Sequence, residues 1–276
     1  MLRALAEYVM AGRRQAATAI VLLGLPPLVN LLPPMLVAMV ILRKGLPAGS
    51  FLLLWAMLPV GFWLFIGNAV PLLVLTGVTM LACVLRATQS WQSVALTSIA
   101  VGAMFEIFLR AQPLVLDLLF EQMDLYIRAN NLEGVSLADA RQLMTTLAAA
   151  IYMVLSVALV MLGRSMQAMV INPGGFRQEF HQFRLRQPVA LALVGMIVLI
   201  NLAAALPGSW ALYPGWPLAL AGLALAHALV ARRKASALWL VAMYFLLVFP
   251  AMLYLLVLAA IIDSWYDFRA RLPKGA

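Results

Sequence analysis

Long apolar runs fill this chain, and short clusters of charge, proline and glycine separate them. Residues 16–42 form one run of 27, interrupted by Pro26-Pro27 and Pro33-Pro34. Proline lacks an N–H and its ring clashes with the preceding turn, so one straight helix does not carry two such pairs. The pattern predicts two short helices, 16–32 and 34–42. Two helices also return Arg43 and Lys44 to the side of Arg13 and Arg14. Residues 51–66 and 69–85 follow, split by Gly67-Asn68. At 1.5 Å per residue each reaches roughly 25 Å, just under the hydrocarbon thickness of a bilayer. Residues 91–111 make the next span.

The segment 113–141 differs in character, with five acids and two arginines. Asp117, Glu121, Asp124 and Arg128 share one helical face, and Leu116, Leu119, Phe120, Met123 and Ile127 fill the opposite one. That is the pattern of an amphipathic helix at an interface. Asn130-Asn131 and Gly134 break it, and Ser136 with Asp139 three residues on forms a capping box for a new helix. This helix crosses to about Gly163 and continues until Pro173-Gly174-Gly175. Residues 189–206 span again. The uncharged turn PGSWALYPGWP carries Trp210, Tyr213 and Trp216, read as interfacial aromatics. Residues 217–231 return to Arg232-Arg233-Lys234, and 236–262 holds Pro250. The expected fold is all-α: one polytopic transmembrane bundle over residues 1–276, with about 8–9 helices, including short proline-broken ones at the N-terminus.

Composition strengthens this picture. The chain is 65% hydrophobic and 11% charged, whereas soluble domains carry about 25% charged residues. Lipid must therefore serve as solvent, and the weak alternation of outer-membrane strands is missing. The net charge of +9 lies in short connections, where arginines set topology, so nucleic acid is not an expected partner. Placing the basic connections in the cytoplasm of a bacterial inner membrane puts 13 of 19 basic residues there. The N-terminus and the basic segment 164–187 are then cytoplasmic, and the acidic segment 113–141 is outside. The tail is ambiguous: one crossing after Arg233 leaves Arg269, Arg271 and Lys274 outside, and a kink at Pro250 brings them back. The first apolar run lacks a cleavage site and reads as an uncleaved helix, with residues 2–12 lying along the surface. Cys83 is the single cysteine, which excludes an intramolecular disulfide.

Candidate chemistry is sparse. The P-loop, H-E-x-x-H and G-x-S-x-G motifs are all missing, so no enzyme, cofactor or metal site is expected. Glu106 and Arg110 stand four apart and can pair. They read either as a functional charge pair at membrane depth or as a solvated pair at the boundary. Asn30, Asn68 and Asn201 interrupt apolar runs, as packing glue between helices or as ligand contacts. His227 lies just before Arg232. In the tail, Asp263, Asp267 and Arg269 form a docking element or a solvated helix end, with Asp267 and Arg271 spaced for an ion pair.

The stretch NPGGFRQEFHQFRLRQP, 172–188, gathers the most functional residue types. Wound as a helix over 176–186, it aligns Phe176, Phe180 and Phe183 beside a row of Arg177, His181 and Arg184. An aromatic face with cationic flanks fits the headgroup region of a bilayer. It also fits a cytoplasmic partner protein, and less well a catalytic or phosphate-binding role.

GGFR at 174–177 and DSWYDFR at 263–269, with the short proline-rich N-terminal helices, resemble the YybS-like family of bacterial membrane proteins. The resemblance implies a membrane fold similar to the substrate-binding subunits of energy-coupling-factor transporters. It carries no catalytic residues over. The C-terminal half adds spans beyond a six-helix bundle. The expected function is a transport-type protein that binds a small solute and depends on a partner for energy. The alternative is a non-catalytic scaffold for envelope or division machinery; a lipid-modifying enzyme ranks third.

Overall fold

The structure, a computed structural model, describes residues 2–111, 120–122, 124, 125, 129, 137–203 and 205–271. The amphipathic segment expected over 113–128 and the Ser136 cap therefore lie largely outside the described residues. The described residues contain no strand, thirteen α-helices and one 3-10 turn. The expected 8–9 helices are thus too few: the short elements Leu2–Ala11, Gly175–Gln182 and Phe268–Arg271 add to the longer helices, and the run 236–262 divides into two.

Helices α1 (Leu2–Ala11) and α2 (Arg13–Gly24) lead to α3 (Pro33–Lys44). The run 16–42 does divide in two, but the first helix stops at Gly24 rather than at 32. Pro26 and Pro27 have no N–H to continue the ladder, so the helix stops there, and the carbonyl of Gly24 in its last turn accepts Trp63 Nε1 at 2.8 Å. Pro33 and Pro34 sit in the first turn of α3, where no N–H partner is needed. At 12 residues each, α2 and α3 reach roughly 18 Å, short of the bilayer core. Met35 to Ile41 are buried on every face, which fits a helix that is apolar all round and runs through the middle of a bundle. Its neighbours are α2, α4 (Leu46–Phe65), α5 (Val70–Thr88) and the long helix α7 (Leu137–Ile171).

Helix α6 (Trp91–Ala111) lies against α7. Beyond them come α8 (Gly175–Gln182), α9 (Gln187–Leu202), the 3-10 turn Gly208–Ala211 and α10 (Leu212–Arg232). The chain closes with α11 (Leu238–Leu246), α12 (Pro250–Tyr266) and α13 (Phe268–Arg271). Among the described residues, five helices are long and apolar enough to cross a membrane, and up to seven spans result if each bent pair counts as one. The bent pairs are α8–α9, at 66°, and α11–α12, at 117°.

Many of the basic residues collect at one end of the bundle. Arg86 Nη1 donates to the carbonyl of Leu42 at 2.7 Å, closing α5 against α3. Trp91 Nε1 and Arg164 both reach Glu179 of α8. The amide of Arg186 donates to Gln92 Oε1 at 2.9 Å, and Arg232 donates to the carbonyl of Arg269. The bend before Pro250 therefore brings the tail back to the end that holds Arg184 and Arg232.

Candidate functional site

Three polar assemblies stand out against the apolar bundle. The first surrounds Glu106, which is 4% exposed on α6. Its Oε1 accepts from Arg110 Nη2 at 2.5 Å, Arg110 Nε at 3.1 Å, Gln142 Nε2 at 3.2 Å and Trp210 Nε1 at 2.8 Å. Its Oε2 accepts from the Tyr213 hydroxyl. Gly102, one turn earlier on the same face, makes room for the Tyr213 ring: a Cβ there would lie 2.8 Å from Cε1. Gln142 also donates to Thr146, which Ser209 reaches from the 3-10 turn. One carboxylate thus ties α6, α7, the 3-10 turn and α10 together. Four donor contacts converge on Oε1 and one on Oε2, so the carboxylate acts as a cross-brace. A cleft of about 400 Å³ beside it has mainly apolar walls, including Ile99, Ile107, Met196 and Ile200.

Sequence reasoning paired Glu106 with Arg110 and missed the other partners. Trp210 and Tyr213, read as interfacial anchors, turn inward to the carboxylate. The segment LYPGWP is not a turn either, since α10 begins at Leu212. Three polar-capable side chains close together in an uncharged stretch, Ser209, Trp210 and Tyr213, were the available signal.

The second assembly joins the connection after α8 to the tail. Arg184 Nη1 donates to Asp267 Oδ2 at 2.6 Å, Nε to the Asp263 carbonyl at 3.0 Å and Nη2 to the Ser264 carbonyl at 2.9 Å. Asp263 is buried, and its Oδ1 accepts the amide of Phe268 at 3.0 Å. Arg269 is also buried; Nη1 donates to the Phe183 carbonyl at 2.5 Å, and Nη2 lies 3.6 Å from Asp263 Oδ2. Burial pushes the Arg269 guanidinium below its usual pKa, and the Asp263 charge opposes that shift. Asp263, Asp267, Arg269 and Arg184 are therefore brought together in one lock. The expected Asp267–Arg271 pair does not form: Asp267 faces Arg184, and Arg271 donates to the Tyr266 carbonyl while stacking over its ring.

The same lock corrects the reading of 176–186 as one helix. Helix α8 ends at Gln182, and Phe183 is extended with φ −63° and ψ 117°. Phe183 and Leu185 turn into the core. Arg184 consequently leaves the row of Arg177 and His181, and the three-residue cationic flank does not exist. Helix α8 itself is held by Arg164, which donates through Nε to Glu179 Oε2 at 3.1 Å and through Nη2 to Oε1.

The third assembly is a chamber of about 640 Å³ between α8, the end of α10 and α11. Phe176 stacks on Phe180, and Phe180 meets the His227 ring edge-on at 5.5 Å. His181 and His227 face each other with ring centroids 6.5 Å apart. His227 Nε2 shares a hydrogen bond with the Tyr244 hydroxyl at 2.8 Å. Arg177 and Lys234 complete the polar lining, and Met161, Val230 and Leu240 contribute apolar wall. The sequence marked Arg177 and His181 but gave no reason to join them to His227, Lys234 and Tyr244, which lie at least 46 positions further along.

The remaining candidates stand apart from these assemblies. Asn68 Oδ1 accepts the amide of Val70 at 3.0 Å and so starts α5. Asn30 lines a crevice of about 10 Å³ among Pro33, Pro34, Pro59 and Trp63. Asn201 donates to the carbonyl of Ile197 within its own helix. Among the described residues, no group of three or more His, Cys, Asp or Glu side chains is placed to hold a metal ion. Comparison with protein-family models, with curated proteins and with solved structures gives no match.

Proposed function

We propose that this chain is a multi-pass protein of the bacterial cytoplasmic membrane that binds a small solute and draws energy from a partner protein. The observation that carries the reading is the chamber between α8, α10 and α11. Its volume of about 640 Å³ lies within the usual range for ligand pockets, and it combines an aromatic floor with a few converging polar groups. Broken helices are the elements from which transporters build such sites, and this chain has bent pairs at α8–α9 and α11–α12. The positive-inside rule places the basic end, and with it the chamber, on the cytoplasmic side. The likeness to the YybS-like family, carried by GGFR and DSWYDFR, favours the same reading.

Mass spectrometry of the protein purified in mild detergent tests it. A small molecule that co-purifies, and that is lost on replacing His227 by Asn, supports solute binding. Envelope proteins in stoichiometric amount with an empty chamber would instead support a membrane scaffold. That second reading has its own observation. Arg164, Glu179 and Trp91 clamp α8 into a fixed basic surface, suited to a docking partner.

A further inference from the structure

We infer that the chamber between α8, α10 and α11 binds a phosphate group carried on a lipid. The inference rests on the solute-binding reading and names the chemical class of the solute. Charge comes first. The ionisable side chains lining the chamber are Arg177, His181, His227, Lys234 and Tyr244, and no carboxylate is among them. The described acids at this end of the bundle are engaged elsewhere. Glu179 is held by Arg164 and Trp91, Asp267 by Arg184, and Asp263 by the Phe268 amide and the two arginines of the tail lock. An anion entering the chamber meets cations and N–H or O–H donors on several sides. Phosphate oxygens are the acceptors that such a set satisfies best.

The rest of the lining decides between a free anion and an amphiphile. Phe176, Phe180, Met161 and Leu240 give the chamber an apolar floor that inorganic phosphate cannot use. One wall is α11, a helix of nine residues that extends roughly 14 Å, about half the bilayer core. Its outer side is apolar and open: Leu238, Trp239, Val241 and Phe245 are each more than 60% exposed. In a membrane those side chains meet acyl chains. A single short helix thus separates lipid from a basic chamber at the end of the bundle where positive charge collects. That is the depth at which a lipid phosphate sits, with its chains running along the apolar surface toward the bilayer centre. Among the described lining residues a lipid ammonium would find no carboxylate, so an anionic phosphate lipid fits better than a zwitterionic one.

Native mass spectrometry of the detergent-purified full chain tests the inference, with three probes titrated separately. They are dioleoyl phosphatidic acid, dioleoylglycerol as the same chains without phosphate, and inorganic phosphate. Phosphatidic acid is expected to bind at one site per chain, and the other two are not. Arg177→Gln and Lys234→Gln should each weaken it about tenfold or more, as expected for one lost charge-assisted hydrogen bond. Arg3→Gln, on a basic residue paired with Glu7 in α1, should leave binding unchanged. Circular dichroism and thermal midpoints separate misfolding from lost binding, and His227→Asn, which alters a polar group of the lining, is expected to weaken binding as well.

Equal binding of dioleoylglycerol would overturn phosphate recognition. Inorganic phosphate bound as tightly as the lipid would overturn the lipid source. Equal weakening by Arg3→Gln would reduce the effect to general surface charge and overturn the site. A different, uncharged solute that co-purifies and is lost in the chamber variants would overturn this inference and leave the solute-binding reading standing. A chamber that binds nothing would remove both.

Discussion

Arg184 Nη1 lies 2.6 Å from Asp267 Oδ2, across 83 positions of sequence. The same guanidinium reaches the carbonyls of Asp263 and Ser264 in the last turn of α12. Helix C-termini leave carbonyls without intrahelical partners and carry partial negative charge. A planar fork with several donors satisfies them from outside the helix. Arg184 is thus a helix cap supplied by a distant segment, and it fixes where the tail returns.

Removing that cap should loosen the tail. Arg184→Gln is expected to lower stability by about 1–3 kcal/mol, the range for hydrogen bonds to charged groups. Limited proteolysis should cut the tail faster, with the bundle otherwise intact. Arg184→Lys should restore only part of the protection, because an ammonium keeps the charge and loses the fork. A wild-type cleavage rate in Arg184→Gln would show that the contact does not hold the tail.

The Glu106 brace predicts coupling between helices. Tyr213→Phe removes the donor to Oε2, and Glu106→Gln places an amide N–H₂ among Arg110, Trp210 and Tyr213. Each is expected to lower the thermal midpoint in detergent, by an amount corresponding to about 1–3 kcal/mol. The double variant should lose less than the sum, since both changes break one hydrogen bond. Strict additivity would mean that the hydroxyl and the carboxylate act independently.

Gly222 sets the approach of α10 to α12. A Cβ at this position would lie 2.2 Å from the backbone carbonyl oxygen of Leu256. Small residues let helix backbones pack closely in membranes. Gly222→Val should force the helices apart at a cost of about 1–3 kcal/mol or more. Gly61→Val, at a helical position with open space around it, is the control, expected to cost little, since valine has a higher helix propensity than glycine. Equal loss at both sites would refute the close-packing account.

The returning tail also predicts labelling. In a Cys83→Ser background, single cysteines at the exposed positions Gln178 and Arg271 should react with an impermeant thiol reagent from the same side. A cysteine at Leu125, 56% exposed and placed between the far ends of α6 and α7, should react from the opposite side. Modification of 178 and 271 from different sides would contradict the 117° bend.

Much of the helical framework was legible because lipid exposure writes it directly into the sequence. Gly67-Asn68 does separate α4 from α5, Trp91–Ala111 is one helix, and Pro173-Gly174 follows the end of α7 at Ile171. Proline placed the break in the run 16–42, yet the endpoint at Gly24 was missed, since spacing alone did not show where the ladder stops. The row of Arg177, His181 and Arg184 failed for a related reason. Helical projection assumes that the helix continues, and nothing local marks Gln182 as its end. What stops it is the burial of Phe183 and Leu185 together with the pull of the tail on Arg184, both long-range.

The sequence by itself determined that this is an all-helical chain built for lipid, where most of its helix breaks fall, and that its basic residues cluster in the connections. Those properties follow from hydropathy and backbone chemistry, which act over a few residues. Only the tertiary structure decided that Trp210 and Tyr213 turn inward to Glu106, that Arg184 caps the tail, and that His181 and His227 share one chamber. Each depends on which helix faces which. In a chain that is apolar on nearly every face, periodicity does not specify that pairing; close packing and the few buried polar contacts do.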